Sequence, residues 1–141
     1  MITRIGHSAI RAKDIEKTAK FYSDILGFKE AFRIYGDDGA VSIVYLYIAE
    51  GQFIEIFPNG QGEYVYDPKA VGHTHMCYEV ADAKAAIEEV RSKGVAIDTE
   101  LKTGKSGALQ FWIHDPDGNR IELMQLPPES LQAQANKRFK G

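Results

Sequence analysis

The sequence of 141 residues has a single cysteine and no long apolar run. Cys77 cannot form an internal disulfide, which excludes a disulfide-stapled scaffold and fits the reducing cytoplasm, where we expect the protein. Because Cys77 stands among strand-forming residues, it is expected to be a small core residue rather than a nucleophile. No segment approaches the roughly 20 apolar residues of a membrane helix, and the N-terminus lacks the apolar core of a secretory signal. We therefore expect no membrane association.

The chain also lacks an excess of charge of either sign. Seventeen lysines and arginines stand against 20 acidic residues, for a net charge of −3. A balance of this kind gives no basic footprint for a polyanion, so nucleic acid is not an expected partner. Hydrophobic residues at 44% and charged residues at 26% are typical of one globular domain.

What the chain does have is an internal repeat of its chemistry. His7 is followed 48 residues later by Glu55, and His75 is followed 47 residues later by Glu122. Between each His and Glu, an aspartate begins a helical pattern that ends at a glycine. These markers are Asp14 and Gly27 in the first copy, and Asp82 and Gly94 in the second. A repeat in which neither half is large enough to be stable alone predicts two packed copies of one supersecondary unit.

Periodicity and turn residues predict the order βαβββ in each copy. The first module covers about residues 3–58, the second about 72–126, and 59–71 form a linker rich in glycine and proline, all within a single domain 1–126. The tail 127–141 is expected either to form a helix or to fray. The predicted strands are 5–11, 29–35, 41–49, 52–57, 73–80, 95–98, 109–114 and 120–126; the predicted helices run from Asp14 to Gly27 and from Asp82 to Lys93, with a loop at 99–107 and a tight turn at 115–119.

Glu55 is the most informative single residue. The strand Phe53–Phe57 is otherwise apolar on both faces, and a buried ionised carboxylate costs several kcal/mol unless a cation compensates it. A metal ion would do so; the alternatives are a salt bridge to Lys or Arg, or a strand face open to water. Taken alone, His7 and His75 fit hydrogen-bonded sheet histidines, and Glu122 fits a solvent-facing carboxylate.

Their joint placement changes this interpretation. Two imidazoles and two carboxylates in equivalent positions of two copies form a donor set that suits a divalent metal. We therefore predict that His7, Glu55, His75 and Glu122 bind metal. His73 and Glu79 share the strand face of His75 and are the fallback ligands, and His114 is expected on the surface.

Several motifs carry a family resemblance over about residues 3–126. They are Gly6-His7, Asp14-Ile15-Glu16-Lys17, Phe21-Tyr22, Leu26-Gly27-Phe28, Phe53-Ile54-Glu55-Ile56, Gly72-His73-Thr74-His75 and Asp115-Pro116-Asp117-Gly118-Asn119-Arg120-Ile121-Glu122-Leu123. With them the chain resembles the vicinal oxygen chelate superfamily, most closely its glyoxalase I (lactoylglutathione lyase) branch. The resemblance implies an α+β fold in which two tandem βαβββ modules form a curved mixed sheet around a metal. It also implies a homodimer with sites at the subunit interface.

The same resemblance assigns roles to residues. His7, Glu55, His75 and Glu122 fall on the four ligand positions of glyoxalase I, with Glu122 as principal base and Glu55 able to assist. Arg11 and Asn59 match residues that hold the γ-glutamyl end of glutathione, and Lys105 lies in the loop where the family keeps a cation for the glycine carboxylate. Four strand residues from His7 to Arg11 span about 13 Å, which an extended tripeptide can bridge. For Arg11 and Lys105 the alternative is a solvated charge.

The implied reaction converts the hemithioacetal of methylglyoxal and glutathione, or another thiol, into an S-lactoyl thioester. Proton transfer would proceed through an enediolate at one divalent ion per site, with nickel, cobalt and zinc as candidates. The rivals are another metal-dependent enzyme of the superfamily, an epimerase or thiol transferase, and a bleomycin-resistance-type protein that sequesters a drug without catalysis. The sequence does not choose the metal or the thiol, or whether modules pair within or between chains.

Overall fold

The computed structural model describes residues 1–140 and has an α+β architecture. Within these residues are two four-stranded mixed sheets and three helices. The chain forms two compact units, the first made of residues 1–64 and 115–117, the second of 65–114 and the residues from 118 onward. The boundary after Tyr64 falls within the predicted linker 59–71. The predicted α+β class and the two βαβββ modules are confirmed; Gly141, the end of the predicted tail, lies outside the described residues.

The first unit contains one helix and one sheet. Its elements are β1 (His7–Arg11), α1 (Ile15–Leu26), β2 (Lys29–Tyr35), β3 (Val41–Ala49) and β4 (Gln52–Phe57). The sheet order is β1-β4-β3-β2, with β1 parallel to β4 and the other neighbours antiparallel. The central position of β4 gives Glu55 a strand on each side.

Alternation along β3 and β4 separates an apolar face from the face that carries Glu55. Val44, Leu46, Ile54 and Ile56 are fully buried on the face that α1 covers, as period 2 requires. The helix begins as predicted at Asp14, whose side chain accepts a hydrogen bond from the Lys17 backbone N–H, and ends at Gly27 with φ 75°. Glycine adopts this left-handed conformation without the Cβ penalty of other residues.

The acidic turn 115–117 has a structural role in the first unit. Asp115 is 1% exposed and accepts hydrogen bonds from the Tyr22 hydroxyl (3.1 Å) and the Asp117 backbone N–H (2.9 Å). Asp117 in turn accepts one from the Thr18 hydroxyl at 3.2 Å. Both carboxylates are therefore satisfied by α1 and by the turn itself, as buried polar groups must be.

The second unit repeats the order and adds a third helix. Its elements are β5 (Met76–Glu79), α2 (Ala83–Ser92), β6 (Thr99–Thr103), β7 (Leu109–His114), β8 (Arg120–Gln125) and α3 (Leu131–Phe139). The sheet order is β5-β8-β7-β6, again with one parallel pair, β5 and β8. Asp82 caps α2, and Ala83, Ile87 and Val90 are buried, as predicted.

Of the strands predicted for this unit, one is shorter than predicted and one is absent. The strand predicted at 73–80 begins only at Met76, because β5 pairs with β8 alone and its ladder starts at Met76 opposite Ile121. His73 and His75 therefore precede the strand. The strand predicted at 95–98 is absent, and β6 instead occupies the first half of the predicted loop 99–107. The cause is a tight hairpin turn, closed by a hydrogen bond from the Gly104 N–H to the Ala108 carbonyl at 2.8 Å, which pairs Thr103 with Leu109.

Helix α3 lies in the predicted tail and is anchored at its beginning. Its N-cap Ser130 is 1% exposed, and the Leu131 N–H donates to the Ser106 carbonyl at 2.8 Å. Along residues 1–140, no helix is both long and apolar enough to cross a membrane.

Candidate metal centre

The four predicted ligands form two His–Glu pairs, one within each unit. In the first, Glu55 stands on β4 between Ala9 of β1 and Tyr45 of β3 in the strand register. The Nε2 atom of His7 lies 3.3 Å from Oε2 of Glu55. Glu55 is 8% exposed, so an ionised carboxylate there must be stabilised by the groups that contact it.

Tyr45 contacts both residues of the first pair. Its hydroxyl donates a hydrogen bond to Oε1 of Glu55, and its ring meets the His7 ring edge to face with centroids 6.1 Å apart. On the other side the ring stacks on Phe32 at 4.3 Å. The phenol therefore holds one carboxylate oxygen while the other faces the imidazole.

In the second pair, Glu122 stands on β8 between Cys77 of β5 and Trp112 of β7. The Nε2 atom of His75 lies 3.0 Å from Oε2 of Glu122, which is 9% exposed. Nδ1 of the same imidazole lies 2.7 Å from the Thr74 hydroxyl, and its ring meets Trp112 edge to face at 4.7 Å. Thr74 and Trp112 thus fix the ring that faces the carboxylate.

The two pairs differ in what else touches the carboxylate. Glu55 accepts from a phenol, whereas the strand neighbour of Glu122 is Cys77, whose thiol is a weak donor. Burial, followed by the negative charges of Glu122 and Glu79, raises the pKa of Cys77 to about 12. The thiol therefore stays protonated near neutrality, which agrees with the expectation that Cys77 is no nucleophile, although it is only partly buried.

The geometry of each pair fits two ligands of one divalent ion. Ligand bonds of about 2.1 Å place neighbouring donor atoms about 3.0 to 3.4 Å apart for angles between octahedral and tetrahedral, and the observed separations are 3.3 and 3.0 Å. Imidazole nitrogen and carboxylate oxygen are also the donors such ions accept. Among residues 1–140, no three His, Cys, Asp or Glu side chains group closely enough to hold a metal. Each pair therefore supplies two donors.

The predicted substrate residues have different surroundings. Arg11 follows His7 on the same face of β1, and its Nη1 donates to the Pro58 carbonyl at 2.8 Å. The next residue, Asn59, is exposed and has φ 63°. The structure therefore brings Arg11 to the segment that carries Asn59. Lys105 is exposed in the turn between β6 and β7.

The remaining candidates lie outside both pairs. His73 and Glu79, the fallback ligands, are exposed, and within residues 1–140 neither forms an ion pair with His75 or Glu122. His114 is exposed, as expected, and its Nδ1 lies 2.8 Å from Asp98.

Sequence reasoning missed Tyr45, Trp112 and Arg120, all of which surround the pairs. Trp112 could have been found by counting back from the turn 115–119, since β7 and β8 pair without interruption from His114 opposite Arg120. Tyr45 could not, because a register shift between Tyr47 and Ala49 moves it opposite Glu55. Arg120 packs over the rings of Tyr66 and Trp112, and the distant Tyr66 gives no local signal.

Comparison with known proteins shows the family of the chain. The profile of the Glyoxalase/Bleomycin resistance protein/Dioxygenase superfamily matches residues 4–123. The chain belongs to this superfamily. The predicted relationship to glyoxalase and vicinal oxygen chelate proteins is thereby confirmed.

Relatives within the superfamily carry two kinds of name. The human mitochondrial methylmalonyl-CoA epimerase is 30% identical over 129 residues, covering 86% of this chain and 73% of the relative. The lactoylglutathione lyase of Pseudomonas putida is 28% identical over 150 residues, covering 87% and 85%. Among solved structures, a glyoxalase family protein from Enterococcus faecalis matches with a TM-score of 0.74 and 25% identity, covering 86% of this chain and 96% of that one.

Proposed function

We propose that this superfamily member is a metal-dependent enzyme that moves a proton at a carbon next to the carbonyl of a thiol-linked substrate. The observation that carries the proposal is the pair of buried carboxylates, each facing an imidazole nitrogen at 3.0 to 3.3 Å. His7, Glu55, His75 and Glu122 would hold one ion together, whether from one chain or from two. When bound, the ion would supply a Lewis acid for negative charge on the substrate oxygen.

The side chains of the two pairs have distinct tasks in this proposal. Glu122 removes the proton, since its neighbours are the His75 imidazole and the Cys77 thiol, a weak donor, which leave the carboxylate able to accept. Glu55 is less free to accept one, because the Tyr45 phenol already donates to it. The burial of both carboxylates excludes water from the proton that is transferred.

The first candidate substrate is the hemithioacetal of methylglyoxal and glutathione, which proton transfer between neighbouring carbons would convert to the S-lactoyl thioester. The four-ligand resemblance to glyoxalase I supports it, as does the lactoylglutathione lyase relative. The contact between Arg11 and Pro58 gives it structural support, since it places a cation beside Asn59. Lys105 would bind the other end of the tripeptide.

The second candidate is the epimerisation of a 2-carboxyacyl-CoA thioester, which is favoured by the human methylmalonyl-CoA epimerase relative. It also begins with removal of a proton next to a carbonyl, which here is the carbonyl of the thioester. It differs in the return of the proton to the opposite face of the same carbon, for which Glu55 is the second carboxylate available. In both candidates we propose a homodimer that acts in the cytoplasm.

The test is turnover of both substrates by protein stripped of metal and reloaded with nickel, cobalt or zinc. Thioester formation is followed by ultraviolet absorbance, and epimerisation by deuterium uptake from heavy water at the carbon next to the thioester carbonyl. Glu122→Gln is expected to lower kcat by about 100-fold or more, the usual contribution of a general base. Glu129→Gln, an exposed carboxylate outside the site, is the matched control. Metal binding without turnover of either substrate would refute the proposal.

A further inference from the structure

Arg120 is a cation held beside the second His–Glu pair without an anion. It stands on β8, two residues before Glu122 and on the same face, so about 7 Å separates their Cα atoms. Its side chain is partly buried. Over the part of the chain that the structure describes, no carboxylate lies within 4.0 Å of its guanidinium.

Two other arginines of the protein, in contrast, are each neutralised by two carboxylates. Arg33 pairs with both Glu16 and Glu30, and Arg91 pairs with both Glu88 and Glu100. Near Arg120 the acidic groups are already engaged. Asp98 pairs with His114, the residue opposite Arg120 in the strand register, and Glu122 faces His75.

Two aromatic rings hold the guanidinium in place. Its Cζ lies 3.9 Å from the ring centroid of Tyr66 and 4.4 Å from that of Trp112. Cation–π contacts of this kind stabilise the charge and orient the planar group. Among the described residues the guanidinium contacts these rings and makes no hydrogen bond. Its N–H donors therefore remain for a planar anion, and a carboxylate matches their fork with two parallel hydrogen bonds.

We infer that Arg120 is a substrate-binding residue that takes a carboxylate close to the reacting carbon. The inference rests on the proposed proton-transfer function and narrows its substrate class. A substrate whose C–H reaches Glu122 would place a carboxylate attached to that same carbon within reach of Arg120. Glutathione places its carboxylates at the ends of the tripeptide, far from its sulfur. The subsite therefore selects a 2-carboxyacyl thioester over a glutathione hemithioacetal.

Trp112 provides a direct readout of binding at this subsite. It is the only tryptophan of the chain, and its ring contacts both Arg120 and His75. We would titrate zinc-loaded protein with methylmalonate, with propionate and with inorganic phosphate, and follow the emission of Trp112. Methylmalonate and propionate differ by one carboxylate, so the ratio of their affinities measures what that carboxylate adds.

Methylmalonate is expected to bind about 10-fold more tightly than propionate, which corresponds to about 1.4 kcal/mol. Arg120→Met should bring the ratio close to one, and Arg120→Lys should retain part of it, since it keeps the charge without the fork. Arg138→Met is the matched control, because Arg138 also packs over a ring, that of Phe139, but on α3. Its ratio should equal that of the unchanged protein.

Three results would overturn the inference: equal affinity for the two acids in the unchanged protein, a ratio that survives in both Arg120 variants, or phosphate that binds through Arg120 more tightly than methylmalonate. Because the titration needs no turnover, its outcome is separate from that of the proposed reaction. A protein that turns over neither substrate can still show the Arg120-dependent ratio. A protein that turns over a substrate but binds methylmalonate and propionate equally well would support the proposed function and refute the carboxylate-binding role of Arg120.

Discussion

At the scale of single residues, the two carboxylates that occupy equivalent positions have unlike neighbours. Across the strand, Glu55 faces Tyr45, and Glu122 faces Trp112. The parallel neighbour of Glu55 is Ala9, whereas that of Glu122 is Cys77. One carboxylate is thus fixed by a phenol and the other is backed by a thiol. This difference supports a holding role for Glu55 and a proton-accepting role for Glu122.

Tyr45→Phe tests the holding role. Removing the hydroxyl leaves one oxygen of Glu55 without its donor, so the carboxylate is oriented less firmly toward a metal. We expect zinc affinity to fall about 10- to 100-fold, the range for groups that orient metal ligands, as measured by competition with a chelator.

Tyr47→Phe is the control for this substitution. Tyr47 lies on the same strand and also contacts Phe53, but its hydroxyl does not bond to Glu55. Equal zinc affinity in the two variants would contradict the role of Tyr45.

The Cys77 thiol gives a pH-dependent prediction for metal-free protein. Burial and nearby carboxylates raise its pKa from 9.0 to about 12. Above pH 9 the unfolded chain therefore loses this proton before the folded one does, and the free energy of unfolding falls as pH rises toward 12. Urea unfolding over this range should show the decline, and Cys77→Ala should make it shallower.

Disulfide reagents should also label the folded thiol much more slowly than the unfolded one near pH 8. Equally fast labelling would refute the shielding.

At the scale of elements, helices and strands are predicted correctly where residues close in sequence determine their ends. Helix α1 is predicted well, since Asp14 and Gly27 mark its ends in the sequence itself. Strand β6 is missed because its position depends on the turn 104–107, whose bonds pair Thr103 with Leu109. The bulge in β3 is likewise invisible, and it alone places Tyr45 opposite Glu55.

Gly60 makes a close backbone contact that joins the segment after β4 to the segment after β1. Its N–H donates to the Ala12 carbonyl at 2.8 Å, and a Cβ at this position would lie 2.9 Å from the Ala12 carbonyl carbon. Gly60→Ala must push the backbones apart and displace Asn59. We expect a loss of about 1–3 kcal/mol in urea unfolding, as for other overpacked sites.

Gly6→Ala is the matched control, because a Cβ there meets nothing within 4 Å. For a glutathione substrate, Gly60→Ala should also raise KM more than it lowers kcat. A variant as stable as Gly6→Ala would contradict the close approach at Ala12.

At the scale of the whole molecule, the repeat in the sequence predicts the fold class correctly. Two βαβββ modules follow from the recurring order of strands, helix and glycine, and the His–Glu pairs form in both. The metal, the partner chain and the substrate have no such signal in the sequence. Metal identity, partner chain and substrate therefore remain predictions.

We propose that both pairs bind the same ion, and the number of ions bound and the dependence of binding on each ligand test this proposal. We would titrate metal-free protein with zinc by calorimetry, alongside His7→Ala and His75→Ala. We expect one ion per chain. We also expect each variant to lose more than about 100-fold in zinc affinity, which is more than the loss of a residue that only orients a ligand would cause. Two ions per chain, or one variant that binds zinc as tightly as the unchanged protein, would contradict it.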